Sequence, residues 1–145
     1  MRTAVLVSVF CLVSISPGSG RAELPTLQLT AGMHLIRAEV ADTPPARMQG
    51  LMFRKTLGQN EGMLFVFADS AAHCMWMKNT YVPLSVAFLD ERGTIINIEQ
   101  MQPHSEQSHC AARPARYALE MSRGWFEQRG IRPGIRLRGL DKPGR

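Results

Sequence analysis

Residues 73–89 read HCMWMKNTYVPLSVAFL, and their pattern decides the fold class. Period-2 alternation over His73 to Lys78 predicts a strand with Cys74, Trp76 and Lys78 on one side. His73, Met75 and Met77 then fall on the other. Asn79 to Pro83 turns the chain, because Asn tolerates turn geometry and Pro leaves a ladder without a donor. Leu84 to Leu89 resumes as a strand with Leu84, Val86 and Phe88 sharing a face. Asp90-Glu91-Arg92-Gly93 reads as a hairpin loop with Gly93 in the left-handed position, and Thr94 to Met101 returns as the partner strand.

Outward from this unit the chain remains strand-rich. Residues 23–32 form a lead-in whose Pro25 discourages regular structure. Met33 to Val40 alternates as a first strand, with adjacent Leu35 and Ile36 leaving its facing open. Thr43 is placed to cap a helix of about ten residues with Pro44 in its first turn. Met48, Leu51 and Met52 give that helix an apolar face, and Gly50 marks a close backbone approach. Met63 to Phe67 is a continuous apolar run suited to a central strand, and Arg116 to Met121 is a further strand. Ser122 is positioned to cap a short helix with Trp125 and Phe126 inward, and Gly130 ends it. Ile135 to Leu140 alternates against arginines as a charge-guarded edge strand. The expected architecture is a single mainly-β domain over 33–140, with one or two short helices and a tail over 141–145.

The first 22 residues read as a secretory leader: Arg2 supplies the positive end and Ala4 to Ile15 the apolar segment. Gly20-Arg21-Ala22 supplies small residues before Glu23. Without Arg2 and Arg21 the chain holds 15 Lys+Arg against 12 Asp+Glu, a net charge of +3. That modest excess does not point to nucleic acid. No later apolar run reaches membrane length, so the exported domain is expected to be a soluble periplasmic or secreted monomer. Cys11 leaves with the leader, and Cys74 and Cys110 remain as an even pair in an oxidising compartment. A disulfide is the natural reading, with free thiols or a metal site as the alternatives. Closing so long a loop is worth about 3–4 kcal/mol.

GLMFR (Gly50 to Arg54), GMLFVF (Gly62 to Phe67), WMKNTYVPL (Trp76 to Leu84) and YALEM followed by GWF and GI stand in order. With these stretches the sequence resembles the Domain of Unknown Function 192 family from about Met33 to Leu140. The resemblance implies a compact β-sandwich or jelly-roll-like fold and carries no activity, cofactor or catalytic residue. Many members have an aspartate directly after the Pro-Leu pair. This chain has Ser85 there and so lacks that carboxylate.

Three functional readings follow. Trp76, Lys78 and Asn79 with Arg54 would line a cleft for a small-molecule or saccharide-like ligand, since an aromatic plane beside cationic and amide donors holds such groups. The alternative buries Trp76 and leaves Lys78 and Asn79 to snorkelling and turn formation. Second, His73, Met75 and Met77 with His104 or His109 form a soft donor set that copper(I) would accept. Methionines as core filler explain the same residues. Third, a hydrolase or lyase has little behind it, since no G-x-S-x-G, HExxH, P-loop or dinucleotide fingerprint occurs. Glu120, between Leu119 and Met121, is expected to face solvent or pair with Arg54 or Arg116. A non-catalytic binding domain of the envelope is the leading expectation.

Overall fold

The computed structural model describes residues 23–141. The expected leader, with Cys11, and the last four residues of the tail lie outside the described residues. Within the described residues, alternating sequence stretches become nine strands: β1 (Thr26–Ala31), β2 (His34–Ala41), β3 (Glu61–Ala71), β4 (Cys74–Met75), β5 (Leu84–Leu89), β6 (Ile95–Met101), β7 (His109–Cys110), β8 (Ala115–Ser122) and β9 (Leu137–Arg138). Seven of them form one sheet in the order β6-β5-β8-β3-β2-β1-β9, and β4 pairs only with β7. The chain is thus mainly β, and its large sheet curls into a half-barrel. An antiparallel Thr94–Arg136 bridge draws the two ends of the curl together, helped by the Ile95 N–H donating to the Ile135 carbonyl.

Side-chain parity then sorts the core onto two faces. On one face Leu29, Ile36, Leu64, Ala87, Leu119 and Met121 pack with Trp125, Phe126 and Leu137. On the other Met63, Phe65, Phe67, Val86, Phe88 and Ala118 are covered by Leu51, Met77 and Ala111. Helix α2 (Trp125–Gln128) closes the first face. Helix α1 (Pro44–Gln49) lies in the connection between β2 and β3, which pair in parallel. Such a pair needs a crossover, and the 42–60 segment supplies it.

Several expectations are corrected by these contacts. The lead-in contains a full strand, β1, because its Leu27 and Leu29 bury against β2 while Pro25 stays just outside. Ile36 faces the core and Leu35 does not. Helix α1 has six residues, not ten, and none of them is buried. Thr43 does cap it, accepting from the Ala46 N–H at 3.3 Å. Gly50 stops it at φ +47°, with the Phe65 ring where a Cβ would project. The strand expected over 73–78 has only two paired residues, since the chain leaves β7 after Met75 and Met77 enters the core. Gly124, not Ser122, is the N-cap of α2. The edge strand over 135–140 shrinks to the two residues of β9.

The hairpin after β5 forms as expected, with Gly93 at φ +79° and its N–H donating to the Asp90 carbonyl. Cys74 and Cys110 are directly opposed across β4 and β7 and joined by a disulfide.

A buried carboxyl beside an exposed tryptophan

Glu120 sits in the middle of β8, where residues 118 and 120 share the face opposite to Leu119 and Met121. Register places it directly between Met63 of β3 and Val86 of β5. The same row continues to Glu39 on one side and Glu99 on the other. Glu39 is paired with Arg54 at 2.5 Å, and Glu99 accepts from Asn97. Glu120 has neither kind of partner among the described residues and is only 3 % exposed. Loss of hydration disfavours its charged form, and burial raises its pKa from 4.5 to about 8. At neutral pH it is a carboxylic acid, not a carboxylate.

Above Glu120 the chain leaves a crevice of about 30 Å³. Its walls are Phe65, Met75, Trp76 and Thr80, and the Gly50-Leu51-Met52 turn after α1 closes it. Trp76 is 41 % exposed. Lys78 places its ammonium over the Trp76 ring, 5.2 Å from the centroid, and pairs with Glu106 at 3.7 Å.

The crevice shares Arg47, Met48, Phe65, Met75 and Trp76 with a wider groove of about 480 Å³ that runs along α1 to Phe67 and His73. Met48 stands 70 % exposed at its edge. Arg47 is fixed by donating to the carbonyls of Asp42 and Val66. His73 stacks on Phe67 at 3.8 Å between centroids, with its Nε2 3.0 Å from the Asp69 carbonyl oxygen.

The four residues expected to form one cleft are distributed differently. Arg54 lies in a separate groove of about 240 Å³ with Glu39, Arg37 and Glu61. Asn79 shapes the turn at φ +52°, and its carbonyl accepts from Phe53. Trp76 alone lines the crevice, with Lys78 on its ring. Of the soft-donor set, Met77 is fully buried, and His104 packs its ring against Tyr81. Met75 and His109 face each other across β4 and β7. Among the described residues no group of three or more His, Cys, Asp or Glu is placed to hold a metal ion.

Glu120 is the residue that the sequence reading misplaced. Of its two expected partners, Arg54 is taken by Glu39, and Arg116 forms no ion pair with it among the described residues. The signal available was its parity: a charge on the face of Ala118, in a strand buried on both faces.

The sequence model of the DUF192 family, described as "Uncharacterized ACR", matches residues 27–139. The chain belongs to this family. No curated protein matches it. Among solved structures, the DUF192 chain is similar to a protein of Sinorhizobium meliloti 1021 that carries the provisional description of a transcription regulator. The two are 37 % identical with a TM-score of 0.77, over 83 % of this chain and 98 % of the other. It is also similar to a protein of unknown function from Novosphingobium aromaticivorans DSM 12444. There the identity is 33 % and the TM-score 0.76, over 86 % of this chain and 90 % of the other.

The four stretches that carry the DUF192 resemblance meet at the crevice. GLMFR supplies the closing turn, GMLFVF supplies Phe65, WMKNTYVPL supplies Trp76 and Thr80, and YALEM supplies Glu120.

Proposed function

We propose that this DUF192 domain is a non-catalytic binding module for a small organic molecule, acting outside the cytoplasm. The observation that supports it best is the continuity of the groove along Trp76 with the crevice over Glu120. Small-molecule sites combine several hundred cubic ångströms of mostly apolar wall with a few polar groups that fix orientation. The groove offers Met48, Phe65, Phe67 and Trp76 as wall, and the crevice offers one isolated acid. These walls favour a ligand with an apolar body over a saccharide, which needs many hydrogen-bonding groups along its length. The export part of the reading rests on the leader sequence and on the Cys74–Cys110 disulfide, which persists in oxidising compartments. Among the described residues no helix is long and apolar enough to cross a membrane.

The test is a fragment titration followed by NMR at the Trp76 indole. Small aryl compounds are expected to shift that signal saturably. Trp76→Ala should weaken binding at least tenfold while the folded spectrum persists. Fragments that leave the Trp76 signal unmoved would overturn the reading.

A further inference from the structure

The unpaired acid carries the binding reading further, to the chemical class of the ligand. Every carboxylate in the row across the sheet has a partner except the one most deeply buried. A buried carboxylate without a counter-charge is strongly unfavourable, and no described residue forms an ion pair with Glu120. Arg47 also lines the crevice, where its Nη1 is held by the carbonyls of Asp42 and Val66 rather than by Glu120.

Several of the other lining groups are electron-rich: the thioethers of Met48, Met52 and Met75, and the indole of Trp76. Thr80 spends its hydroxyl proton on the Lys78 carbonyl at 3.1 Å, which leaves its oxygen as an acceptor. Aromatic faces and lone pairs around a lone acid make a receptor for positive charge. Size separates the candidates within that class. About 30 Å³ takes a head group of the size of one water, and the joined groove of about 480 Å³ takes a body.

We propose that the ligand is an organic amine whose ammonium head pairs with Glu120 in the crevice while its apolar body lies along Trp76 and Met48. This inference rests on the binding role proposed above. On binding, the ammonium form enters, the Glu120 carboxyl gives its proton to solvent, and the two charges remain paired. One proton is therefore released for each amine bound wherever the free site is protonated. The charged or titratable groups that line the crevice or the adjoining groove beside Glu120 are Arg47 from α1 and Asp69 and His73 from the 69–78 segment, and Lys78 sits over the Trp76 ring. From the sheet, Met63 and Val86 are uncharged, and the Glu39 charge is met by Arg54.

Calorimetry of the purified protein with 2-phenylethylamine, 2-phenylethanol and 3-phenylpropionate tests this, run between pH 6.5 and 9.5 in buffers of differing ionisation enthalpy. The amine is expected to bind at least tenfold tighter than the alcohol, and the carboxylate weakest. Amine binding should release close to one proton below about pH 8, and none well above it. Glu120→Gln should erase the preference and the proton release while keeping alcohol binding, and His73→Gln should keep both. If amine and alcohol bind equally, or no proton is released, the amine assignment falls while the groove stands. If none of the three binds or moves the Trp76 indole signal, both fall.

Discussion

The backbone N–H of Phe53 donates to the carbonyl of Asn79 at 2.8 Å, and both residues hold positive φ, +64° and +52°. The only other non-glycine residue in that region among the described residues, His104 at φ +62°, donates its N–H to Thr80, the neighbour of Asn79, at 3.2 Å. The rings of Phe53 and His104 both contact Tyr81. Left-handed backbone costs about 1–2 kcal/mol in a residue with a Cβ, and such strain gathers where surroundings over-determine it. Here it fixes the turns that carry Met52 and Thr80 into the crevice. Asn79→Gly should leave stability within about 0.5 kcal/mol, since Gly adopts this φ freely. Asn79→Val should lose about 1–2 kcal/mol or more. Urea unfolding of both variants checks this, and equal midpoints would argue against stored strain.

Glu120 makes stability depend on pH in a direction opposite to that of a paired carboxylate. Its folded pKa, about 8, lies above the unfolded value. Its contribution is therefore fully present in acid and lost as pH rises through the folded pKa. Between pH 4.5 and 8 that loss is on the order of 3–5 kcal/mol. Glu120→Gln cannot ionise, so the difference between the two stability curves should widen across this window and flatten above it. Curves that stay parallel from pH 5 to 9 would contradict the burial argument.

The disulfide holds β4 to β7 where only two residue pairs hydrogen-bond. It closes a separation of 36 residues, worth about 3–4 kcal/mol in the chain-entropy treatment. Cys74→Ser with Cys110→Ser, or addition of reductant, should lower the unfolding free energy by that amount. The Trp76 environment should loosen with it, because Trp76 follows β4 directly. A reductant-insensitive urea midpoint would remove this role.

Ser85, directly after the Pro83-Leu84 pair, holds the start of α2. It is buried, and its hydroxyl accepts from the Gly124 N–H, at the start of α2, over 3.0 Å. Ser85→Ala should cost about 1 kcal/mol through the unmet donor, with Trp125 fluorescence reporting on α2. A neutral substitution would show that the N–H finds another acceptor.

Much of the fold was legible because it rests on local patterns. The LSVAFL alternation, the Asp90 to Gly93 loop and the run 63–67 each specify their conformation within a few residues. The β1 strand was not legible, because its burial depends on β2 beside it rather than on its own Pro-flanked sequence. Arg54 and Trp76 were expected together, but pairing of Arg54 with Glu39 depends on the parallel register of β2 and β3, which no local rule gives.

By itself the sequence determined the strand-rich class, the hairpin, the cap at Thr43 and the family, since propensity, parity and turn chemistry act over short range. Only the tertiary structure decided that Trp76 stays open to solvent, that Arg54 is claimed by Glu39, and that Glu120 is buried with no ion pair among the described residues. Desolvation and pairing depend on what four distant segments bring to one place, and 50–52, 65, 75–80 and 120 meet only when the sheet has curled.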